Sequence, residues 1–189
     1  MNIKDKKILY IIFLSSFLSA QVNHIELPMD ISETTFNESI PKPIDVFSHH
    51  LGAQHTRTDQ IVEYFYAVAK NSNRVVVKNH GSTHEGRKLI HAVITSAENQ
   101  KKLDEILKNN RNLCLNPGKI SNKDLKKMPV VAYFGYSVHG DEASGSEAAM
   151  LLLYHLSAGS SIGIRNYLNN VILIIDPILN PDGRDRFVN

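Results

Sequence analysis

His139 and Glu142 are two residues whose types and spacing could do chemistry. They lie three positions apart, so one turn of backbone can aim the imidazole and the carboxylate at a common point. An imidazole nitrogen and a carboxylate oxygen are ligand types that hold a catalytic zinc ion. Gly140 lies between them and lets the backbone turn tightly. The spacing indicates part of a metal site, but it also fits a simpler interpretation, in which Asp141 or Glu142 only stabilises the positive end of a helix.

The elements on either side of this pair are a predicted strand and a predicted helix. Residues 129–135 form a short apolar run bounded by turn signals, which predicts a buried central strand. Residues 142–156 have the apolar spacing of a helix, and residues 171–175 predict a second buried strand that ends before a turn at residues 180–183. Binding sites of α/β proteins gather where strands end and helices begin, so the location favours the metal interpretation.

The elements upstream complete a predicted α/β domain. The pattern predicts a helix with one buried face over residues 58–69, two strands over residues 74–78 and 88–95 joined by the turn-rich segment 80–87, and a second helix over residues 99–110. Helices that alternate with continuous apolar strands predict an α/β fold with a mostly parallel central sheet.

The N-terminal residues have the form of a secretory signal peptide. Three lysines, Lys4, Lys6 and Lys7, precede an apolar run over residues 8–18 and the small residues Ser19 and Ala20. The run is shorter than the roughly 20 residues that a membrane-spanning helix needs, although an uncleaved anchor is an alternative. We therefore expect residues 1–20 to be a signal peptide, residues 21–56 an irregular lead segment and residues 57–189 the domain. The expected location is outside the cell or in a periplasm, with no stable membrane span after cleavage.

The charge balance argues against a nucleic-acid partner. Removing residues 1–20 takes away three Lys and one Asp, so the formal net charge falls from +2 to zero. A mature chain without a basic excess has no long-range attraction for nucleic acid or for anionic lipid. The single cysteine, Cys114, cannot form an internal disulfide.

Two further motifs turn these observations into a family resemblance. Residues 81–87, GSTHEGR, resemble the GxSxEGR stretch that joins the first two strands in the carboxypeptidase A family of zinc metallocarboxypeptidases. Residues 180–183, NPDG, resemble a turn that follows a later strand in that family. The order and spacing of these motifs and of the His139–Glu142 pair agree with the family from about residue 58 to the end of the chain.

The resemblance implies a fold, a cofactor and a set of site residues. The fold is α/β, with a mixed, mainly parallel central sheet flanked by helices, incomplete at the C-terminus. His139 and Glu142 match the first two ligands of Zn²⁺. Arg184, directly after the NPDG motif, is a candidate for binding substrate, and Arg87 is expected to fix the hairpin. The third zinc ligand and the catalytic general base are expected beyond Asn189, so the catalytic residues are unknown from this chain.

The implied function is a zinc-dependent metallocarboxypeptidase, present as a fragment, that hydrolyses C-terminal peptide bonds of a peptide or protein substrate. One alternative is a zinc-dependent deacylase of the same superfamily, and another is an inactive exported binding remnant. A third alternative is a serine hydrolase, because residues 135–139 resemble a nucleophile elbow centred on Ser137. That motif requires a glycine where His139 stands.

Overall fold

The elements of the fold alternate as the apolar patterns predict, beginning with a lead segment that is irregular in sequence. The computed structural model describes residues 34–189. The predicted signal peptide, residues 1–20, and the first part of the lead segment, residues 21–33, lie outside the described residues. Within the described part, no helix is both long enough and apolar enough to cross a membrane.

The described residues form four strands and eight α-helices. The strands are β1 (Val75–Ser82), β2 (Lys88–Ile94), β3 (Val130–Gly135) and β4 (Val171–Asp176). The helices are α1 (Pro43–Val46), α2 (Thr58–Asn71), α3 (Ala97–Lys101), α4 (Leu103–Leu115), α5 (Asn122–Leu125), α6 (Ala143–Ala158), α7 (Ile162–Asn170) and α8 (Pro181–Val188), with a 3₁₀ turn at Pro117–Lys119.

The four strands form one open, mixed sheet in the order β1-β2-β4-β3. β1 pairs with β2 and β2 pairs with β4 in antiparallel orientation, whereas β3 and β4 are parallel. The α/β class and the mixed sheet are confirmed. We expected mainly parallel pairings. Two of the three pairings within residues 34–189 are antiparallel, because β2 pairs in that orientation with both β1 and β4.

The core lies mainly on one face of the sheet. Alternate residues of β2, including Ile90, Ala92 and Ile94, point toward α2 and α6, where they are buried with Phe65 and Leu153. This alternation follows from the two-residue period of a strand. On the opposite face, α4 packs against the sheet through a smaller cluster built around Val93, Leu103 and Ile172. The sheet is therefore sandwiched between helices.

Several predicted elements differ from those observed. The helix predicted over residues 99–110 is two helices, α3 and α4, which meet at Lys102, and α7 was not predicted at all. β3 was predicted as a buried central strand but is an edge strand of the described sheet, with Val130 and Tyr133 exposed. The turn predicted at residues 180–183 is instead the first turn of α8.

The lead segment packs on the domain from residue 34 onward. Ile40 and Phe47 are buried in the main core. The Phe47 ring contacts Tyr64 of α2 edge-on, with 6.1 Å between ring centroids. The amide of Asn37 donates to the carbonyl of Ala158 at 2.9 Å, which ties the segment to the end of α6. The described part of the segment is therefore integrated with the fold.

Candidate metal centre

The candidate metal loop, residues 136–142, connects β3 to α6. Its backbone is folded back by Ser137, which has φ of 50°, a left-handed conformation that is uncommon outside glycine. The Ser137 hydroxyl donates to the carbonyl of Glu142 at 3.0 Å and accepts a hydrogen bond from the Ser146 hydroxyl at 2.9 Å. These bonds close the loop and bring its two ends together.

His139 and Glu142 lie in the same turn of this loop, as the spacing predicts. The amide of Glu142 donates to the carbonyl of His139 at 3.2 Å, and the amide of His139 donates to the Glu142 carboxylate at 3.3 Å. Both residues are exposed. A shared turn and free access to solvent are what two ligands of a catalytic ion require.

The donor types of His139 and Glu142 fit zinc. Catalytic zinc sites in proteins commonly use three protein ligands and keep one position open. Within residues 34–189, no group of three His, Cys, Asp or Glu side chains is placed to hold a metal ion. The described residues therefore contain no complete metal site, and this turn offers one imidazole and one carboxylate as donors.

At Gly140 the candidate metal loop lies directly against the NPDG motif. A Cβ atom at Gly140 would stand 2.0 Å from the carbonyl carbon of Gly183 and 2.4 Å from the amide nitrogen of Arg184. Such distances are far inside van der Waals contact. Gly140 is thus needed because the two backbones touch, whereas we had expected it to serve a tight turn.

Two backbone hydrogen bonds join the same two segments. The amide of Leu179 donates to the carbonyl of Tyr136 at 2.9 Å, and the amide of Asn180 donates to the carbonyl of Ser137 at 3.1 Å. Asn180 also caps α8, since its side-chain oxygen accepts from the amide of Gly183 at 2.9 Å. The NPDG motif therefore begins a helix and supports the candidate metal loop.

The GSTHEGR motif contacts the same helix from the hairpin side. Thr83 and Arg87 both donate to the Asp182 carboxylate, at 2.7 and 2.8 Å, and Arg87 also donates to Asp185 at 2.5 Å. The hydrogen bonds that Arg87 donates to the carboxylates of Glu85, Asp182 and Asp185 hold its pKa above the usual range. The expectation that Arg87 fixes the hairpin agrees with this geometry, and all three motifs meet at the start of α8.

Arg184 does not occupy the place expected of a substrate ligand. Its side chain is 0% exposed. Its guanidinium donates to the carbonyls of Thr56 and Ala143 and to the carboxylate of Glu147, at 2.9 to 3.1 Å. Burial lowers the pKa of Arg184, and the neighbouring Glu147 carboxylate opposes that shift. The first turn of α8 points this side chain inward, between α6 and the lead segment, and away from solvent.

The position of Ser137 argues against the serine hydrolase alternative. The residue is 5% exposed, and its hydroxyl is engaged by the backbone of Glu142 and by Ser146. A nucleophile elbow instead presents its hydroxyl to the substrate. The left-handed backbone resembles that motif, but here it serves to close the loop.

Two residues around the site were missed by the sequence analysis. Glu147 is 9% exposed and Thr56 is 0% exposed, and their side chains are hydrogen-bonded to each other at 3.0 Å. A signal for Glu147 was present: it lies within a helix on the same side as Ala143 and Met150, both apolar and buried. A carboxylate on an apolar face indicates a buried ion pair. Thr56 had no comparable signal.

The family of the chain is shown by comparison with known proteins. A family model described as zinc carboxypeptidase matches residues 61–189, more than half of the chain. The chain therefore belongs to the zinc carboxypeptidase family. Among solved structures it is similar to the carboxypeptidase A from Helicoverpa armigera, at 20% sequence identity and a TM-score of 0.48; the match covers 69% of this chain and 26% of that chain. No curated protein matches the chain.

Proposed function

We propose that the chain carries the first two ligands of a zinc carboxypeptidase active site, His139 and Glu142, and that the activity of the whole protein is hydrolysis of C-terminal peptide bonds. The observation that carries this proposal is their placement in one solvent-exposed turn, closed by the bond from Glu142 to His139. Membership of the family supplies the reaction class. The substrate is accordingly a peptide or a protein with a free C-terminus.

Each group of this chain has a definite task in that proposal. A bound zinc ion would polarise the scissile carbonyl and activate a water molecule. His139 and Glu142 would hold the ion, while Ser137 keeps the two ends of the loop together through its bond to the Glu142 carbonyl. The contact of Gly140 with Gly183 fixes the loop on α8. The chain would thus hold the candidate metal loop in a fixed position.

Export is part of the proposal and is supported by the N-terminal sequence alone. The lysines at positions 4, 6 and 7, the apolar run over residues 8–18 and the small residues at 19 and 20 are typical of a signal peptide. The protein would then act on peptides outside the cell or in a periplasm. N-terminal sequencing of the protein recovered from the medium or the periplasm should begin near Gln21, and recovery of a chain that retains Met1 would contradict this part.

The metal assignment is tested by zinc titration of the full chain. We expect Zn²⁺ to shift the imidazole signals of His139 in a saturable manner, and we expect Glu142→Gln to weaken that response strongly, because an amide is a poor zinc ligand. His50→Gln is the matched control, since His50 is also exposed but lies outside the loop. An equal zinc response in wild type and Glu142→Gln would contradict the assignment.

The reaction class is tested on the whole protein with two substrates. An N-blocked dipeptide with a free C-terminus and an N-acetyl amino acid separate a carboxypeptidase from a deacylase. Zinc-dependent release of the C-terminal residue from the dipeptide, lost in Glu142→Gln, is the expected result. Cleavage of the acetyl amino acid alone would favour the deacylase, and zinc binding without cleavage of either substrate would favour the binding remnant.

A further inference from the structure

Three polar residues from distant parts of the chain, Thr56, Glu147 and Arg184, form a hydrogen-bonded group that reaches the candidate metal loop through Arg184, and we name them the support cluster. Arg184 donates to Glu147 at 3.1 Å. The backbone amide and the hydroxyl of Thr56 donate to the two oxygens of Glu147, at 2.9 and 3.0 Å. The carbonyl of Thr56 accepts from Arg184 at 2.9 Å. Each member therefore contacts both of the others.

The charged groups of the support cluster are hydrogen-bonded on several sides. Both oxygens of Glu147 and three nitrogens of the Arg184 guanidinium have hydrogen-bond partners. Charged groups that are removed from water are tolerated only when paired and hydrogen-bonded in this way. Because every bond is directional, the relative positions of the three residues are fixed.

The hydroxyl of Thr56 is held in turn by His49. A threonine hydroxyl has one hydrogen, and here it is donated to Glu147. The contact of 3.0 Å between that hydroxyl and Nε2 of His49 must then be a bond donated by His49. Nδ1 of His49 accepts from the side-chain NH₂ of Gln54 at 2.9 Å, which leaves Nε2 as the nitrogen that donates to Thr56. The lead segment thus sets the direction of the Thr56 hydroxyl.

Arg184 connects the support cluster to both sides of Glu142. Its guanidinium donates to the carbonyl of Ala143, the residue that follows Glu142, at 3.0 Å. Its backbone amide lies against Gly140, two residues before Glu142. A shift of Arg184 would therefore move the peptide units on either side of the candidate ligand.

We propose that Thr56, Glu147 and Arg184 are positioning residues for the candidate zinc ligands: they fix the first turn of α6 and, through it, the direction of the Glu142 carboxylate. The proposal rests on the proposed function, since it concerns the same site. It adds that part of the support comes from Thr56, which precedes residue 61, where the family match begins. The lead segment would then act in metal binding without contacting the metal.

The test compares two substitutions at Thr56 in the full chain. Thr56→Val keeps the shape of the side chain and removes the hydroxyl, whereas Thr56→Ser keeps the hydroxyl. The first readout is the zinc affinity seen at His139. The second is hydrogen exchange of the Glu142 amide without metal, because that amide is bonded to the His139 carbonyl.

We expect Thr56→Val to weaken zinc binding by roughly tenfold, as is common when a group that orients a metal ligand is removed. Exchange of the Glu142 amide should become several-fold faster, and Thr56→Ser should stay within twofold of wild type in both readouts. Ile164→Val, at a buried position of α7 outside the support cluster, controls for a general loss of stability. It should change neither readout beyond twofold.

Three results would overturn the inference. One is wild-type zinc affinity and amide exchange in Thr56→Val, and another is an equal change in Ile164→Val. If Thr56→Val does not fold, Glu147→Gln takes its place, and unchanged readouts in that variant are the third. Absence of zinc binding by the wild-type chain would contradict the metal assignment instead, and the exchange of the Glu142 amide would then decide by itself whether the support cluster holds the turn.

Discussion

At Gly140 the candidate metal loop and the NPDG motif are in direct backbone contact. This contact explains why residue 140 is a glycine, which the sequence alone does not decide. Glycine serves either a left-handed backbone or a close approach. The glycines with left-handed φ are Gly52, Gly81 and Gly86, and Gly140 is not among them. The side chain is excluded at this position because the carbonyl of Gly183 fills its place.

Gly140→Ala is therefore expected to destabilise the protein by about 2 kcal/mol, the usual scale for forcing an extra methyl group into a packed site. Gly145→Ala is the matched control, because its new Cβ would lie no closer than 3.5 Å to any neighbour and would sit within α6. That change should stabilise by about 0.5–1 kcal/mol. Urea unfolding of the two variants measures both values, and equal stability of the two would refute the backbone-contact explanation.

Geometry at the residue scale could be predicted where it is local in sequence. His139 and Glu142 are three positions apart, so their common turn could be predicted from spacing. Arg184 was assigned to substrate binding because a cation beside a motif is a natural candidate, but its inward direction depends on Thr56, 128 positions away. Hydrogen-bond partners so far apart along the chain leave no local sequence pattern. Thr56 was missed for the same reason.

The hairpin turn and α8 form one unit because oppositely charged side chains meet between them. Arg87 bridges Asp182 and Asp185, and Glu85 pairs with both Arg87 and Arg186. Burial raises the pKa of Asp182, but hydrogen bonds from Thr83, Arg87 and the Glu85 amide outweigh it, so the pKa lies below its ordinary value. The pKa of Glu85 is also lowered, chiefly by its hydrogen bond from Arg87.

These shifts predict a stability loss in acid. A carboxyl group whose pKa is lowered by folding contributes stability above its ordinary pKa, and that contribution is lost as the pH falls through the folded-state pKa. The melting temperature should therefore decline as the pH falls below about 4. Asp182→Asn should reduce this decline, because its side chain does not titrate. Asp104→Asn, on the exposed side of α4, is the control and should leave the profile unchanged.

Elements with a clear apolar period were predicted to within a few residues, as α2, β2 and α6 show. The failures have physical causes. Lys102 interrupts a helix pattern that is otherwise continuous, and its φ and ψ of −115° and 14° depart from a regular helix. β3 has the composition of a buried strand, but burial depends on which neighbours the sheet provides, and sequence does not report strand order.

At the scale of the whole molecule, the described part of the lead segment, residues 34–56, is packed into the core of the domain. Ile40 and Phe47 belong to the main core, and Thr56 belongs to the support cluster. The segment carries little periodicity, so the sequence gives no indication of this role. The predicted boundary at residue 57 remains a prediction about domains, but the core of the described structure extends across it.

Phe47→Ala should accordingly cost about 3–5 kcal/mol, as expected for removal of a buried aromatic side chain. Phe36→Ala is the matched control from the same segment. Its ring is 38% exposed and stacks on Tyr154 with 5.3 Å between centroids, so its loss should cost only about 1 kcal/mol. Thermal and urea unfolding distinguish the two, and an equally small effect of both changes would mean that the segment lies outside the cooperative unit.

The meeting of three motifs at the start of α8 also sets an order of events during synthesis. The candidate metal loop is complete as a sequence once Glu142 has been made, but its contacts with Leu179, Asn180 and Gly183 must wait for about 40 further residues. Contacts between distant parts of a chain form late, because loop closure must precede them. The candidate metal loop can therefore reach its final shape only when α8 docks.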